Sequence, residues 1–208
     1  MHGYFVTGTD TGVGKTFVTT HLARRARAAG HRVFAFKPVE TGCSQILGDD
    51  QTLLCEAAGA WQTGVCRGVY QFALPAAPLV AARAENATID LALIVRTFAL
   101  GSANASFSLV EGAGGWRVPI TAEHDMGGLA RQLELPVLLV ARATLGTINH
   151  TLLSIEAIRR DGCELASVIL SQQPADDPTL VESNVAQISR HASVIVFRQD
   201  PTVLDRFT

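Results

Sequence analysis

Short apolar runs alternate along the chain with longer stretches whose apolar residues recur every three or four positions, and this alternation predicts strands and helices in turn. Tyr4 to Thr7, Val33 to Lys37, Phe107 to Glu111, Val137 to Ala141, Leu165 to Leu170 and Val194 to Phe197 read as strands. They are apolar at consecutive rather than alternate positions, the pattern of strands covered on both faces of a parallel sheet. Between the first two, Val18, Leu22 and Ala26 share one helical face, Arg24, Arg25 and Arg27 take others, and Gly30 supplies a left-handed stop. Thr16 to Ala29 therefore reads as a helix. Further helices are predicted over Asp50 to Ala58, Pro78 to Glu85, Asp90 to Leu100, Met126 to Leu133, Thr147 to Arg160 and Thr179 to Arg190. The sum is an α/β fold, a doubly wound, mainly parallel sheet with helices on both faces. Gln173 to Pro178 reads as a surface loop with too little chain beyond it for a second domain, so residues 1–208 are expected to form one.

Composition narrows the classes of function. With 48% hydrophobic and 17% charged residues the 208-residue chain has a globular balance, and a formal net charge of −2 with no basic run beyond Arg24, Arg25 and Arg27 argues against a nucleic-acid partner. Small anionic or zwitterionic ligands fit better. Neither a signal-peptide pattern nor an apolar stretch of membrane-spanning length is present, which predicts no membrane partner and a cytoplasmic location. The four cysteines contain no Cys-x-x-Cys pair and the six histidines no His-Glu-x-x-His, so zinc and redox chemistry are disfavoured.

Directly after the first strand comes Gly8-Thr9-Asp10-Thr11-Gly12-Val13-Gly14-Lys15-Thr16, running into the first helix. Such a turn wraps phosphates with backbone N–H groups, including those of Gly12, Val13 and Gly14, and aims the positive helix end at them. It adds the Lys15 ammonium and, in Thr16, a hydroxyl for magnesium. The spacing departs from the usual phosphate-loop pattern, because Thr9 stands where its first glycine belongs and Gly8 precedes it.

Glu111 is predicted at the end of a strand, followed by a flexible turn from Gly112 to Gly115, on the rim where open α/β sheets collect ligands. Asp50, near the start of a predicted helix, serves equally well as a cap or as a second magnesium carboxylate. Lys37, between an apolar strand and a Pro and Gly turn, is placed on the same rim, where it can neutralise charge on a transferring phosphoryl group. Leu145 to His150 opens a helix with small polar side chains suited to an anion, although Thr147 also reads as a plain cap. Trp61 and Trp116 read as packing residues, and the adjacent His124 and Asp125 are poorly placed to act as an acid-base pair.

Four segments together resemble the dethiobiotin synthetase family: Val6 to Thr16, Lys37-Pro38-Val39-Glu40-Thr41-Gly42, Val110-Glu111-Gly112-Ala113-Gly114-Gly115 and Leu145-Gly146-Thr147-Ile148-Asn149-His150. The resemblance implies a P-loop NTPase-type fold and a homodimeric enzyme that converts 7,8-diaminononanoate, carbon dioxide and ATP into dethiobiotin, ADP and phosphate with Mg2+. The implied route runs through a carbamate and a carbamic-phosphoric anhydride. It places Lys15 and Thr11 on the transferring phosphate, Lys37 on the carbamate and γ-phosphate, and Thr16, Asp50 and Glu111 on the magnesium. Thr41 and the backbone of Gly112, Ala113 and Gly114 line the diamine site, with Glu111 beside them, while Gly146, Thr147 and Asn149 reach it from the partner subunit. One departure is that Ser171-Gln172-Gln173 stands where the family carries an Asn-Asp pair that reads adenine. Gln172 is left to present an amide to the base, and looser nucleotide choice is expected. A partitioning or positioning ATPase of the same branch is disfavoured by Asp10 near the loop start, where those proteins carry lysine, and by the absence of a basic tail. A cobyrinate-type amidotransferase synthetase would need a glutaminase domain for which there is no room.

Overall fold

The computed structural model describes residues 2–44, 48–198 and 205–207. The first half of the chain forms β1 (Gly3–Gly8), α1 (Lys15–Ala28), β2 (Val33–Phe36), β3 (Val39–Thr41), α2 (Asp49–Ala57), β4 (Tyr70–Phe72), α3 (Pro78–Ala84) and α4 (Leu91–Ser102). The second half forms β5 (Phe107–Gly115), α5 (Met126–Leu133), β6 (Val137–Arg142), α6 (Thr147–Arg160), β7 (Leu165–Ser171), α7 (Pro178–Ala192) and β8 (Val196–Arg198). Six strands make one parallel sheet in the order β2-β5-β1-β6-β7-β8, so β1 lies between β5 and β6. No helix among the described residues is long and apolar enough to cross a membrane.

Adjacent residues of each central strand enter opposite cores. Phe5, Phe36, Val110, Leu139 and Leu170 pack with Ile94 of α4, Leu129 of α5 and Ile155 of α6. Their neighbours Val6, Ala35, Leu109, Leu138 and Ile169 pack with Leu22 of α1 and Leu54 of α2. Burial on both faces is why the strands read as continuous apolar runs.

The structure corrects the predicted elements in three places. Gly112 to Gly115 are not a flexible turn but the last residues of β5, which therefore carries Glu111 within the strand. Small residues are needed there, since a Cβ on Gly115 would lie 3.3 Å from the carbonyl oxygens of Gly8 and Thr9. Secondly, β3 and β4 pair in parallel as a separate two-stranded sheet, Val39 opposite Tyr70 and Thr41 opposite Phe72, where the sequence suggested only a turn after Lys37. Three-residue strands offer too little periodicity to be seen in advance. Thirdly, β8 begins at Val196 rather than Val194.

A polar cluster ties the end of α6 to the loop after β5. Trp116 Nε1 donates to Asp161 Oδ2 at 2.8 Å, and the Arg117 guanidinium donates to Asp161 Oδ1 at 2.9 Å and to Asp125 Oδ2 at 3.0 Å. Asp125 also caps α5 by accepting from the Gly128 amide, so neither it nor His124 faces the cavity described below. Burial alone would raise the Asp161 carboxyl, but its bonds to Arg117 and Trp116 outweigh burial and hold it below the ordinary 3.8. Such a depressed carboxyl contributes stability that is fully present above the ordinary value and is lost as pH falls through the folded one. Asp161→Asn is therefore expected to lower the urea midpoint near neutral pH and to flatten the acid limb, as read from unfolding curves between about pH 7 and pH 3.

Candidate active site

The loop from Gly8 to Thr16 is held against both neighbours of β1. The Thr9 amide donates to the Val140 carbonyl of β6 at 3.0 Å, and Gly8 pairs with Gly115 of β5. Gly12 and Gly14 take left-handed backbone angles, φ 68° and 99°, which fold the loop back onto the start of α1. Gly8 explains the displaced motif: a Cβ there would lie 2.8 Å from the Asp10 carbonyl oxygen and 3.1 Å from Lys15 Nζ. The glycine is placed where the lysine crosses the loop, and Thr9 beside it carries a side chain.

Lys15 donates to the Asp10 carbonyl at 2.9 Å and is buried. Burial pushes its ammonium down to about 8, with Lys37 adding to the effect and Glu111, Asp50 and Asp10 opposing it. An ammonium costly to keep charged gains much from a phosphate partner.

Across the loop, Lys37 lies just past the end of β2 and donates to Glu111 Oε1 at 2.9 Å and to Asp50 Oδ2. Burial alone would lower this ammonium, yet Glu111 and then Asp50 reverse it and raise the group above its ordinary value. The Thr16 hydroxyl donates to the same Glu111 Oε1 at 2.9 Å. Glu111 has no exposed surface, and its second oxygen, Oε2, has no hydrogen-bond partner among the described residues. These groups border a cavity of about 670 Å³ whose lining also includes Pro75, Ala77, Pro78 and Val118. Charged and apolar side chains thus share one cavity.

Of the residues proposed from sequence, Thr11, Gly12, Gly14, Lys15, Thr16, Lys37, Thr41, Asp50, Glu111, Ala113 and Gly114 all border this cavity. Gly112 and Val13 do not. A Cβ on Gly112 would meet the Phe5 ring at 3.2 Å, and the Val13 side chain is buried in the core around α1, so only their backbone can serve a ligand. Gly146, Thr147, Asn149 and Gln172 likewise lie away from the cavity of their own chain. Thr147 is not a cap: Gly146 holds that position in a left-handed conformation, and Thr147 is the first helical residue, its hydroxyl 3.3 Å from that of Thr151.

The residue that sequence reasoning missed is Glu40. Its two carboxylate oxygens accept the amides of Asp50 at 3.0 Å and Gln51 at 2.8 Å, capping α2 from a neighbouring strand. Burial pushes the Glu40 carboxyl up and these two bonds pull it partly back. A Cβ on Gly48 would stand 2.1 Å from that carboxylate, so a side chain there would displace the cap. With Glu40 as the cap, the Asp50 side chain is released to Lys37, which resolves the two roles the sequence left open for it. A carboxylate ten residues upstream of the first amide it accepts carries no local capping signature. Replacing Glu40 with alanine is expected to cost about 1–3 kcal/mol in urea unfolding, because two α2 amides lose their acceptor inside the protein.

A family model described as an AAA domain matches residues 2–199. The ATP-dependent dethiobiotin synthetase BioD of Anaeromyxobacter dehalogenans (strain 2CP-C) is 46% identical over 191 residues, covering 91% of this chain and 85% of that protein. The chain belongs to the ATP-dependent dethiobiotin synthetase family. Family members of the same printed name from Cellvibrio japonicus (strain Ueda107) and Thermodesulfovibrio yellowstonii (strain ATCC 51303 / DSM 11347 / YP87) are 40% and 37% identical, over 90% and 88% of this chain and 83% and 81% of theirs. Among solved structures, the MinC:MinD cell division protein complex of Aquifex aeolicus aligns with a TM-score of 0.60 at 15% identity, covering all of this chain and 85% of that one. Chloroplast FtsY of Physcomitrella patens aligns at 0.57 and 16% identity, over 99% and 64%. These two likenesses concern the fold alone.

Proposed function

We propose that the cavity between the phosphate loop and β5 closes the ureido ring of dethiobiotin from 7,8-diaminononanoate, carbon dioxide and ATP. The observation carrying this reading is the convergence of Lys15, Lys37 and Glu111, from three separate segments, on one cavity that Pro75, Pro78 and Val118 also line. ATP enters with its phosphates along the loop amides from Gly12 to Thr16 and its γ-phosphate toward Lys37. The diamine lies with its aliphatic chain against Pro75, Pro78 and Val118 and its amines near Thr41 and the Gly114 backbone. One amine adds carbon dioxide and loses a proton to give a carbamate. A carbamate oxygen then bonds to the γ-phosphorus as ADP leaves, and the second amine bonds to the carbamoyl carbon as phosphate leaves and the amine gives up a proton. Phosphorylation supplies the good leaving group, and the shared carbon chain makes closure intramolecular. Lys37 and Lys15 neutralise charge as it moves between oxygens, and Thr11 orients the transferring phosphate.

Magnesium suits the oxygens present. Thr16, Asp50 and Glu111 would hold it, since Glu111 offers a buried carboxylate oxygen with no protein partner and all three are hard donors. When bound it supplies charge neutralisation on the phosphates. A cytoplasmic homodimer completes the proposal, with Gly146, Thr147 and Asn149 of a second copy holding the substrate carboxylate. Leu145 and Leu153, exposed to 89% and 58%, are the apolar side chains that such an interface around α6 would cover.

The decisive experiment follows phosphate release from the purified protein with Mg-ATP, bicarbonate and 7,8-diaminononanoate, omitting each in turn. Release should require all of them and match dethiobiotin formed mole for mole. Release that ignores the diamine would leave only an idle ATPase.

A further inference from the structure

Arg142, at the end of β6, has no part in the chemistry above. The side chain is exposed, yet its Nη2 donates to the Thr11 carbonyl of the phosphate loop at 3.2 Å. It also lies 3.6 Å from the point where a Cβ on Gly12 would stand. An ordinary surface arginine is solvated or paired with a carboxylate, whereas Arg142 takes part in none of the ion pairs among the described residues. Its hydrogen bond reaches the loop carbonyl from the β6 side, and Arg142 itself does not border the reaction cavity.

Sheet order says what occupies that side. If the γ-phosphate points toward Lys37, Asp50 and Glu111, near β5 and β2, the nucleoside leaves the loop in the opposite direction. There β6 and β7 end side by side, Arg142 in register with Ser171, and Gln172 follows. The carboxyl ends of these strands are where a parallel sheet receives a ligand. A guanidinium is planar, weakly hydrated and well suited to lie on an aromatic face, and every nucleobase presents such a face whatever its edge carries.

We propose that Arg142 packs its guanidinium plane against the nucleobase, steadied by the Thr11 carbonyl, and so grips the nucleotide without reading which base it is. This rests on the nucleotide-binding reading above and extends it. Base selectivity is left to whatever Ser171 and Gln172 contribute at the base edge, and ADP, GDP and CDP share the contact that Arg142 makes.

Calorimetric titration of the full chain with ADP, GDP, CDP and inorganic tripolyphosphate tests the idea, comparing the parent protein with R142A and R142K. R142A should weaken all three nucleotides by about tenfold, and by similar factors, while leaving tripolyphosphate unchanged because it has no base. R142K should resemble R142A, since lysine restores charge and a donor but no plane. Tripolyphosphate weakening in step with ADP would make Arg142 a strut of the loop and overturn the proposal, as would full nucleotide affinity in R142K. If R142A does not fold, R142K and R142Q carry the same comparison. A parent protein that binds neither nucleotides nor tripolyphosphate would instead sink the nucleotide reading itself.

Discussion

Lys37→Ala should lower dethiobiotin formation by about 10²- to 10³-fold while leaving ADP affinity within a few-fold. The ammonium sits between Asp50 and Glu111, and both carboxylates hold it charged despite its burial. On the proposed reading it is therefore a fixed positive charge where phosphoryl oxygens become negative, and not a base that shuttles protons. The sign of its linkage agrees: a lysine raised above 10.5 contributes stability that is fully present below that value and lost only as pH climbs through the higher folded one. Removing the side chain leaves two carboxylates facing each other without compensation. The variant should consequently unfold more readily in urea and gain more stability from Mg2+ than the parent protein does. Stopped assays for product, titration calorimetry for ADP, and urea curves with and without Mg2+ separate these effects. Equal losses in product formation and ADP affinity would mean that Lys37 holds the nucleotide and not the reacting groups.

The second large effect is expected at Glu111. Glutamine there has nearly the same shape and still offers an acceptor to Thr16 and Lys37, but it removes the charge and replaces an acceptor oxygen with an amide nitrogen. In Glu111→Gln the Mg2+ concentration for half-maximal phosphate release should rise by about tenfold or more, with slower turnover at saturation. ADP binding in the presence of a chelator should change little, because the loop amides and Lys15 are untouched. Unaltered magnesium dependence would restrict Glu111 to positioning Lys37.

Much of the candidate site could be read along the chain because its parts are short contiguous segments with local physics. Gly12, Gly14, Lys15 and Thr16 belong to one strand-loop-helix unit, and Lys37 was placed on the rim by the apolar strand that delivers it. Glu111 was found for the same reason, although the glycines after it extend the strand where a turn was expected. Glu40 escaped notice because its partners are amides of a different element, reached across β3 and the start of α2. Asp50 could not be assigned until that cap was known. Arg142 was silent as well: nothing in Val137 to Arg142 tells that the last residue folds over a loop more than a hundred positions earlier.

By itself, then, the sequence determined the alternation of strands and helices, the phosphate loop, and the set of charged side chains available for chemistry. These depend on hydrophobic periodicity, glycine conformation and chain order, all local properties. Only the tertiary structure decided that β1 lies between β5 and β6, that Glu111 meets both Thr16 and Lys37, and that Glu40 frees Asp50. Strand order and register arise from packing between distant segments, where the burial of two opposed cores selects one arrangement out of many with the same local pattern.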